Sequence, residues 1–385
     1  MAEQKKIKVL FRHRSMEMGG VEKVLLGMLN HLDKAKFDLS LSLNLFQGEL
    51  RNAVPKDIPF TTLAGGKEDF PKNPILNKVA YIFRGLKLKI YKTFPIIADS
   101  LIIHNQADIE VATGYTMFED VLNSSNKKSK KIGWLHSDLT TKGFDGVREK
   151  ILNQISQFDY FIFGSQQAKD TIDTHFPTLK LPPHAVILNA IPIEEIKAKA
   201  EEFPVDRTSK PLFVSVGRLH NRKGYHLLAQ AHKNLLDKGF EHEIRIVGDG
   251  EERENLEKQI ADLGIGDSFK LLGTLLNPYP FVRNADFYIM PSRSEGWPLI
   301  IAETLILQKP IIATNVGGIP EMIVHQKNGY LVDYDLTSIE NGMETFLTNQ
   351  TLVNAIKNEL KTIEQQFDER KIYNAVEEIL TNLQP

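Results

Sequence analysis

Two periodicities alternate along this chain. Short β-branched and apolar runs, "IKVLF" (7–11), "FDLSLSL" (37–43), "IEVAT" (109–113), "KKIGWLH" (130–136) and "YFIFGS" (160–165), are separated by stretches with helical spacing, beginning with "VEKVLLGMLNHL". That alternation predicts parallel strands with helices on both faces of the sheet. Around 188–210, prolines and a charged run interrupt it, and this stretch reads as an interdomain connection. The alternation then restarts with "LFVSVG" (212–217), "HEIRIVG" (242–248), "FKLLG" (269–273), "FYIMPS" (287–292), "PIIATN" (310–315) and "GYLVD". The predicted architecture is α/β: two doubly wound parallel-sheet domains, 1–190 and 191–367, facing each other across a cleft. Ligands of such sheets bind outside the carboxyl ends of the strands.

One segment departs from this plan. "NKVAYIFRGLKLKIYKTFPII" (77–97) interleaves Lys78, Arg84, Lys87, Lys89 and Lys92 with Tyr81, Phe83, Leu86, Leu88, Ile90 and Tyr91. A basic amphipathic helix of this kind lies in a membrane interface; the plainer alternative is a surface helix packed on its own domain.

Composition narrows the class. At 385 residues, 42% hydrophobic and 25% charged, the chain suits a soluble two-domain protein. No apolar run reaches the roughly 18–20 residues of a spanning helix, and "MAEQKKIKVLFRHRS" lacks the apolar core of a signal peptide. The absence of cysteine excludes disulfide and thiolate chemistry and fits a cytoplasmic protein. The net charge of −2 hides an asymmetry: residues 1–190 carry 26 Lys and Arg against 20 Asp and Glu, the remainder 21 against 29. A basic first half points to an anionic membrane surface or a phosphorylated acceptor. With a pI near 6.6 and no recognition module, nucleic acid is not an expected partner.

The candidate chemistry falls after predicted strands. In "GRLHNRKG", Arg218 and Lys223 suit a diphosphate, the one as a planar fork and the other as a point charge. "GDGEER" opens like a dinucleotide-binding turn, but Arg253 stands where a third glycine belongs. In "EGWPLIIAE", Gly296 permits close backbone approach, Pro298 suits a first helical turn, and the amides of Trp297, Leu299 and Ile300 offer a phosphate site. Glu303 is an acid inside an apolar helical pattern, and burying it unpartnered costs several kcal/mol. On an ideal helix, residues eight apart lie about 12 Å apart on nearly one side, so Glu295 and Glu303 suit two parts of one extended ligand. The alternative is a capping acid with a core acid paired to a buried cation. In the first half, Gly19 and Gly20 precede a helix, and His136 ends a strand. Asp333-Tyr334-Asp335 reads as a loop and not as a metal site.

Taken together, "GGVE", "WLHSD", "GRLHNRKG", "EGWPLIIAE", "ATNVGGIPEMI" and "NGYLV" resemble family 4 of the retaining glycosyltransferases, which have the GT-B fold. The resemblance spans nearly the whole chain, is specific over 212–332, and is weak over 40–125. It implies that Glu303 holds the ribose hydroxyls of a nucleotide-sugar and that Glu295 orients the donor sugar. Arg218 and Lys223 would neutralise the departing diphosphate. The backbone from Gly296 through Trp297 and Pro298 to Leu299, with Gly19 and Gly20 from the other domain, would cradle the phosphates. Leu272 would lie near the base, and His136 beneath the reactive carbon.

With cations in those roles no metal or other cofactor is required. No carboxylate of the first half stands out as an inverting base, which together with the resemblance favours retention. The resemblance also implies a final helix, about 368–385, crossing back onto the first domain, and closure about 188–210. The expected donor is a UDP-sugar before GDP-mannose, and the expected acceptor a glycan or lipid-linked glycan of a bacterial surface polysaccharide. The enzyme would be cytoplasmic, with peripheral membrane contact through 77–97. A sugar-nucleotide epimerase, a phosphorylase and a non-catalytic subunit are the competing readings.

Overall fold

A computed structural model describes residues 5–383. The chain divides into two compact units, one of Met1–Ala190 with Glu369–Pro385 and one of Ile191–Asp368. Each is built on a fully parallel sheet.

In the first unit the strands are β1 (Ile7–His13), β2 (Phe37–Phe46), β3 (Phe60–Gly65), β4 (Ile109–Ala112), β5 (Lys130–Leu135), β6 (Tyr160–Phe163) and β7 (His184–Val186), in spatial order 3-2-1-4-5-6-7. The second unit has β8 (Leu212–Val216), β9 (Glu243–Val247), β10 (Phe269–Leu271), β11 (Phe287–Met290), β12 (Ile311–Thr314) and β13 (Tyr330–Val332), in order 10-9-8-11-12-13. Strand order therefore reverses beside β1 and beside β8, and a doubly wound sheet opens a ligand crevice at that reversal. The central strands are mostly apolar because helices cover both faces: β4, β11 and β12 are buried at every position.

Two features differ from expectation. The stretch read as a connection contains a helix, Ile193–Ala200, which starts after Pro192 and buries Ile196 and Ala200 in the second unit. Its charges, Glu194 and Glu195 in the first turn and Lys197 and Lys199 in the last, complement the helix dipole; they do not mark a linker. Strands β3 and β7 were also not expected. The first, "FTTLAG", has weak alternation, and the second is three residues long.

Across the first sheet runs a buried charge network. Arg12 on β1 forms ion pairs with Asp99 and, at 2.8 Å, with Glu110 on β4; Glu110 also pairs with Lys131 on β5. Glu110 has no exposed surface and accepts further hydrogen bonds from Ser124 (2.9 Å) and Ser129 (2.6 Å). Burial pushes its carboxyl up, but Arg12 and Lys131 more than offset this and hold it below the usual range.

A second buried polar chain lies in the second unit. His242 Nδ1 donates to the Phe240 carbonyl (2.8 Å), so its Nε2 accepts from His232 Nδ1 (2.7 Å), whose Nε2 accepts from the Ser268 hydroxyl (2.8 Å). Every ring nitrogen is satisfied with both imidazoles neutral, and burial, then the neighbouring His242, lowers the His232 pKa to about 3. Burial lowers that of His242 as well. A base with a depressed folded pKa contributes stability above its unfolded value near 6.5 and loses it as pH falls from there. Unfolding by urea at pH 5.0 is therefore expected to need about 2 kcal/mol less than at pH 7.5 from His232 alone. An unchanged stability between these pH values would refute the neutral pair.

Candidate functional site

In the second unit the site begins where β8 ends. After Arg218 the chain makes a 3₁₀ turn, Asn221–Lys223, capped by the His220 ring, which accepts the Arg222 amide at 3.0 Å. The turn stops at Gly224, whose φ of +69° and position against the Pro291 carbonyl leave no room for a side chain. This geometry sends two cations to one acid. Lys223 Nζ meets Glu295 Oε1 at 2.7 Å, and Arg222 Nη1 meets Glu295 Oε2 at 3.2 Å and the Ser294 carbonyl at 2.9 Å. Burial pushes the Glu295 carboxyl up, but Lys223 and Arg222 outweigh it, so the acid is ionised at neutral pH. Arg218 is placed differently: its side chain is 71% exposed and pairs with Glu251 at 3.0 Å.

Glu295 lies in a loop. The helix Leu299–Ile306 begins four residues later, with Pro298 in extended conformation at its N-cap, so Pro298 stands outside the first turn. The eight-residue helical spacing of Glu295 and Glu303 therefore does not apply, because the run of polar and glycine residues before Pro298 does not wind. The loop is held from both sides: Arg293 N donates to Arg222 O (2.7 Å), and Gly318 N to Gly296 O (2.6 Å). Trp297 and Leu299 are buried. Glu303 is 3% exposed among isoleucine, alanine and leucine, and the hydroxyl of Tyr279, in the helix Tyr279–Asn284, hydrogen-bonds to it. Leu272 follows β10, partly exposed, with its amide donating to Ile246 O at 2.8 Å. Of the remaining motifs, Arg253 pairs with Asp249 and Glu257, and Asp335 caps the helix Leu336–Thr348 through the Ser338 amide.

The first unit gathers a second group at the carboxyl ends of β1, β4 and β5. Gly19 is the N-cap of the helix Gly20–His31. The Glu22 carboxylate folds back over it, into space that a side chain at 19 would claim. There Glu22 Oε1 faces His13 Nε2 at 3.4 Å. Thr113 donates its hydroxyl proton to Arg12 O (3.0 Å) and so accepts from His13 Nδ1 (2.7 Å). His136, stacked on Trp134 with ring centroids 5.3 Å apart, reaches solvent with part of its surface. Burial first and the charge of His13 second nonetheless bring its pKa to about 3, which keeps it neutral at pH 7. A neutral imidazole there is a dipole and hydrogen-bonding group, far too weak a base to carry a proton at pH 7.

Sequence reasoning thus missed Arg222, Tyr279, His13, Glu22 and Thr113. Arg222 had a local signal, since it adjoins Lys223 in a short glycine-closed turn. Glu22 stood inside the quoted "GGVE". His13, Thr113 and Tyr279 acquire their partners only through tertiary packing.

Comparison with known proteins adds a family. Residues 197–362 match the family described as glycosyl transferases group 1. An uncharacterized glycosyltransferase of Methanocaldococcus jannaschii is 26% identical over 66% of this chain and 64% of its own length. The N-acetylgalactosamine-N,N'-diacetylbacillosaminyl-diphospho-undecaprenol 4-alpha-N-acetylgalactosaminyltransferase of Campylobacter jejuni is 32% identical over 49% of this chain and 50% of its own. The chain therefore spans about half to two thirds of the length of these relatives. Among solved structures, Anabaena HepE in complex with UDP and glucose has the same fold, with a TM-score of 0.77 at 20% identity over 97% of this chain and 99% of that one.

Proposed function

We propose, from the match of residues 197–362 to the group 1 glycosyl transferases, that the chain is a retaining hexosyltransferase. It moves a sugar from a nucleotide-sugar, a UDP-sugar before GDP-mannose, to a glycan or lipid-linked glycan during polysaccharide synthesis. The observation that carries this reading is the buried Glu295 gripped by Lys223 and Arg222 at the reversal point of the second sheet. Glu295 orients the donor sugar, and Glu303 accepts the ribose hydroxyls. Lys223, with Arg218 swung from Glu251, neutralises the diphosphate as the glycosidic bond breaks. Positioned cations act where charge develops, so no metal is needed.

The amides of Gly296, Trp297 and Leu299 and the glycines Gly19 and Gly20 cradle the phosphates, and Leu272 contacts the base. His136, held neutral, stabilises the oxocarbenium-like carbon as a dipole. The bound UDP of HepE and the diphospho-undecaprenol acceptor in the name of the Campylobacter relative support the choice of nucleotide and acceptor class.

The direct test is nucleotide release from UDP-glucose, UDP-galactose, their N-acetyl forms and GDP-mannose, with a chelator present. Release from one donor in chelator is the expected result. Release that appears only after metal is restored would remove the metal-independent mechanism. Absence of both release and nucleotide binding would favour a non-catalytic subunit.

Membrane contact forms part of the proposal. No helix among the described residues is long and apolar enough to cross a membrane. The helix Pro74–Thr93, however, buries none of its residues and leaves Ile82 and Phe83 about two thirds exposed beside Lys78, Lys87 and Lys89. Such a face suits an anionic interface, with each lysine contributing about 1 kcal/mol. Co-sedimentation with vesicles rich in phosphatidylglycerol should therefore exceed that with phosphatidylcholine alone. Replacing Lys78, Lys87 and Lys89 together by glutamine should weaken it about 100-fold. Equal binding to both vesicle types would exclude the electrostatic component.

A further inference from the structure

The partner of Glu303 bears on what this site selects. The carboxylate is 3% exposed on a helix otherwise built of leucine, isoleucine, alanine and threonine, where an ionised acid needs hydrogen-bond donors to persist. Tyr279 supplies one. Its ring is buried, and its backbone is confined by Pro278 and Pro280, with its amide donating to the Asn277 side chain at 3.1 Å. Burial, and after it the negative charge of Glu303 and their hydrogen bond, raise the ionisation of the phenol far beyond its usual range. The hydroxyl therefore keeps its proton and acts as donor.

A carboxylate has two oxygens and about four lone-pair directions. One donation from a rigid phenol fixes its plane and leaves capacity to accept the two hydroxyls of a cis diol side by side. Without the phenol, Glu303 would turn about its own side chain, and the match to a diol would be lost before affinity for the rest of the nucleotide.

Resting on the reading of Glu303 as the ribose acceptor, we propose that Tyr279 is a positioning residue that sets the preference of the site for ribonucleotides over 2'-deoxyribonucleotides. It touches no reacting atom and acts through Glu303.

The test is calorimetry of the full chain with UDP, GDP and their 2'-deoxy forms, alongside thermal unfolding. A hydrogen bond to a charged acceptor is worth roughly 10–100-fold in affinity, so wild type should prefer the ribo form of its nucleotide by that ratio. In Tyr279→Phe the ratio should collapse to within a few-fold of one, with affinity for the deoxy form nearly unchanged. A merely structural role would weaken both forms together and leave the ratio intact, and that result overturns the proposal. If the phenylalanine variant unfolds, Tyr279→His, which keeps a ring N–H donor, should retain part of the ratio; its complete loss in a folded histidine variant also counts against Tyr279. A wild type that binds UDP but does not distinguish the deoxy form would refute the role of Glu303 itself. Failure to bind either UDP or GDP would refute the nucleotide-sugar reading, and the proposal with it.

Discussion

Lys223→Ala is expected to lower kcat by about 100–1,000-fold, the usual cost of removing one preorganised charge from a developing anion. Lys223 is the least exposed cation of the site, and its ammonium lies 2.7 Å from Glu295. In the proposed mechanism the substitution removes the charge that faces the diphosphate, and it frees one oxygen of Glu295. Glu295 keeps Arg222 at 3.2 Å, so the loop stays in place and thermal unfolding should shift little. Arg218→Ala provides the contrast: its exposed pair with Glu251 contributes at most about 1 kcal/mol to stability. Any loss of activity in that variant is therefore a loss of catalysis. Single-turnover rates at saturating donor, with melting curves for both variants, decide the matter. A Lys223→Ala enzyme within a few-fold of wild type would remove the cation from the mechanism.

The largest effect on stability is expected at Glu110. Glu110→Ala leaves Arg12 and Lys131 buried without the carboxylate between them, and breaking such a pair from one side costs about 3–5 kcal/mol. Asp99 still holds Arg12, which limits the damage on that side. Lys131 has only Ser129 and the Asn126 carbonyl left. Urea unfolding should show the loss in the first unit's transition, while nucleotide affinity of the second unit at low urea stays near normal. A change under 1 kcal/mol would mean that water enters and solvates the cations.

The fold was legible where burial on both faces forces unbroken apolar strands, as in "FYIM" and "IIAT". It was illegible where an element is too short or too weakly patterned, as in β3 and β7. The helix Ile193–Ala200 hid behind its own charges: Glu at one end and Lys at the other stabilise a helix, yet in composition they look like a linker. At the site, Glu303 stood out because an acid in an apolar helix needs an explanation, and "GRLHNRKG" because glycines bracket its cations. What the residues contact could not be read. Arg222 and Arg218 are chemically identical, and only the 3₁₀ turn ending at Gly224 sends the first inward and leaves the second outside. Tyr279 and His13 lie 24 and 123 residues in sequence from Glu303 and His136, so no local pattern links them.

The helix Glu369–Asn382 completes the first unit: Tyr373 stacks on His31 with centroids 5.0 Å apart, and Glu377 accepts the Asp33 amide at 2.9 Å. On the ribosome, residues 5–190 therefore emerge with the His31 face uncovered and wait until all of the second unit has been made. At 5–20 residues per second that wait is roughly 10–35 s. For its duration the nascent first unit lacks one wall, in addition to the basic amphipathic helix Pro74–Thr93 that stays exposed in the finished fold. This is the interval in which a holdase chaperone, or early capture by a lipid surface, would protect the chain from aggregation.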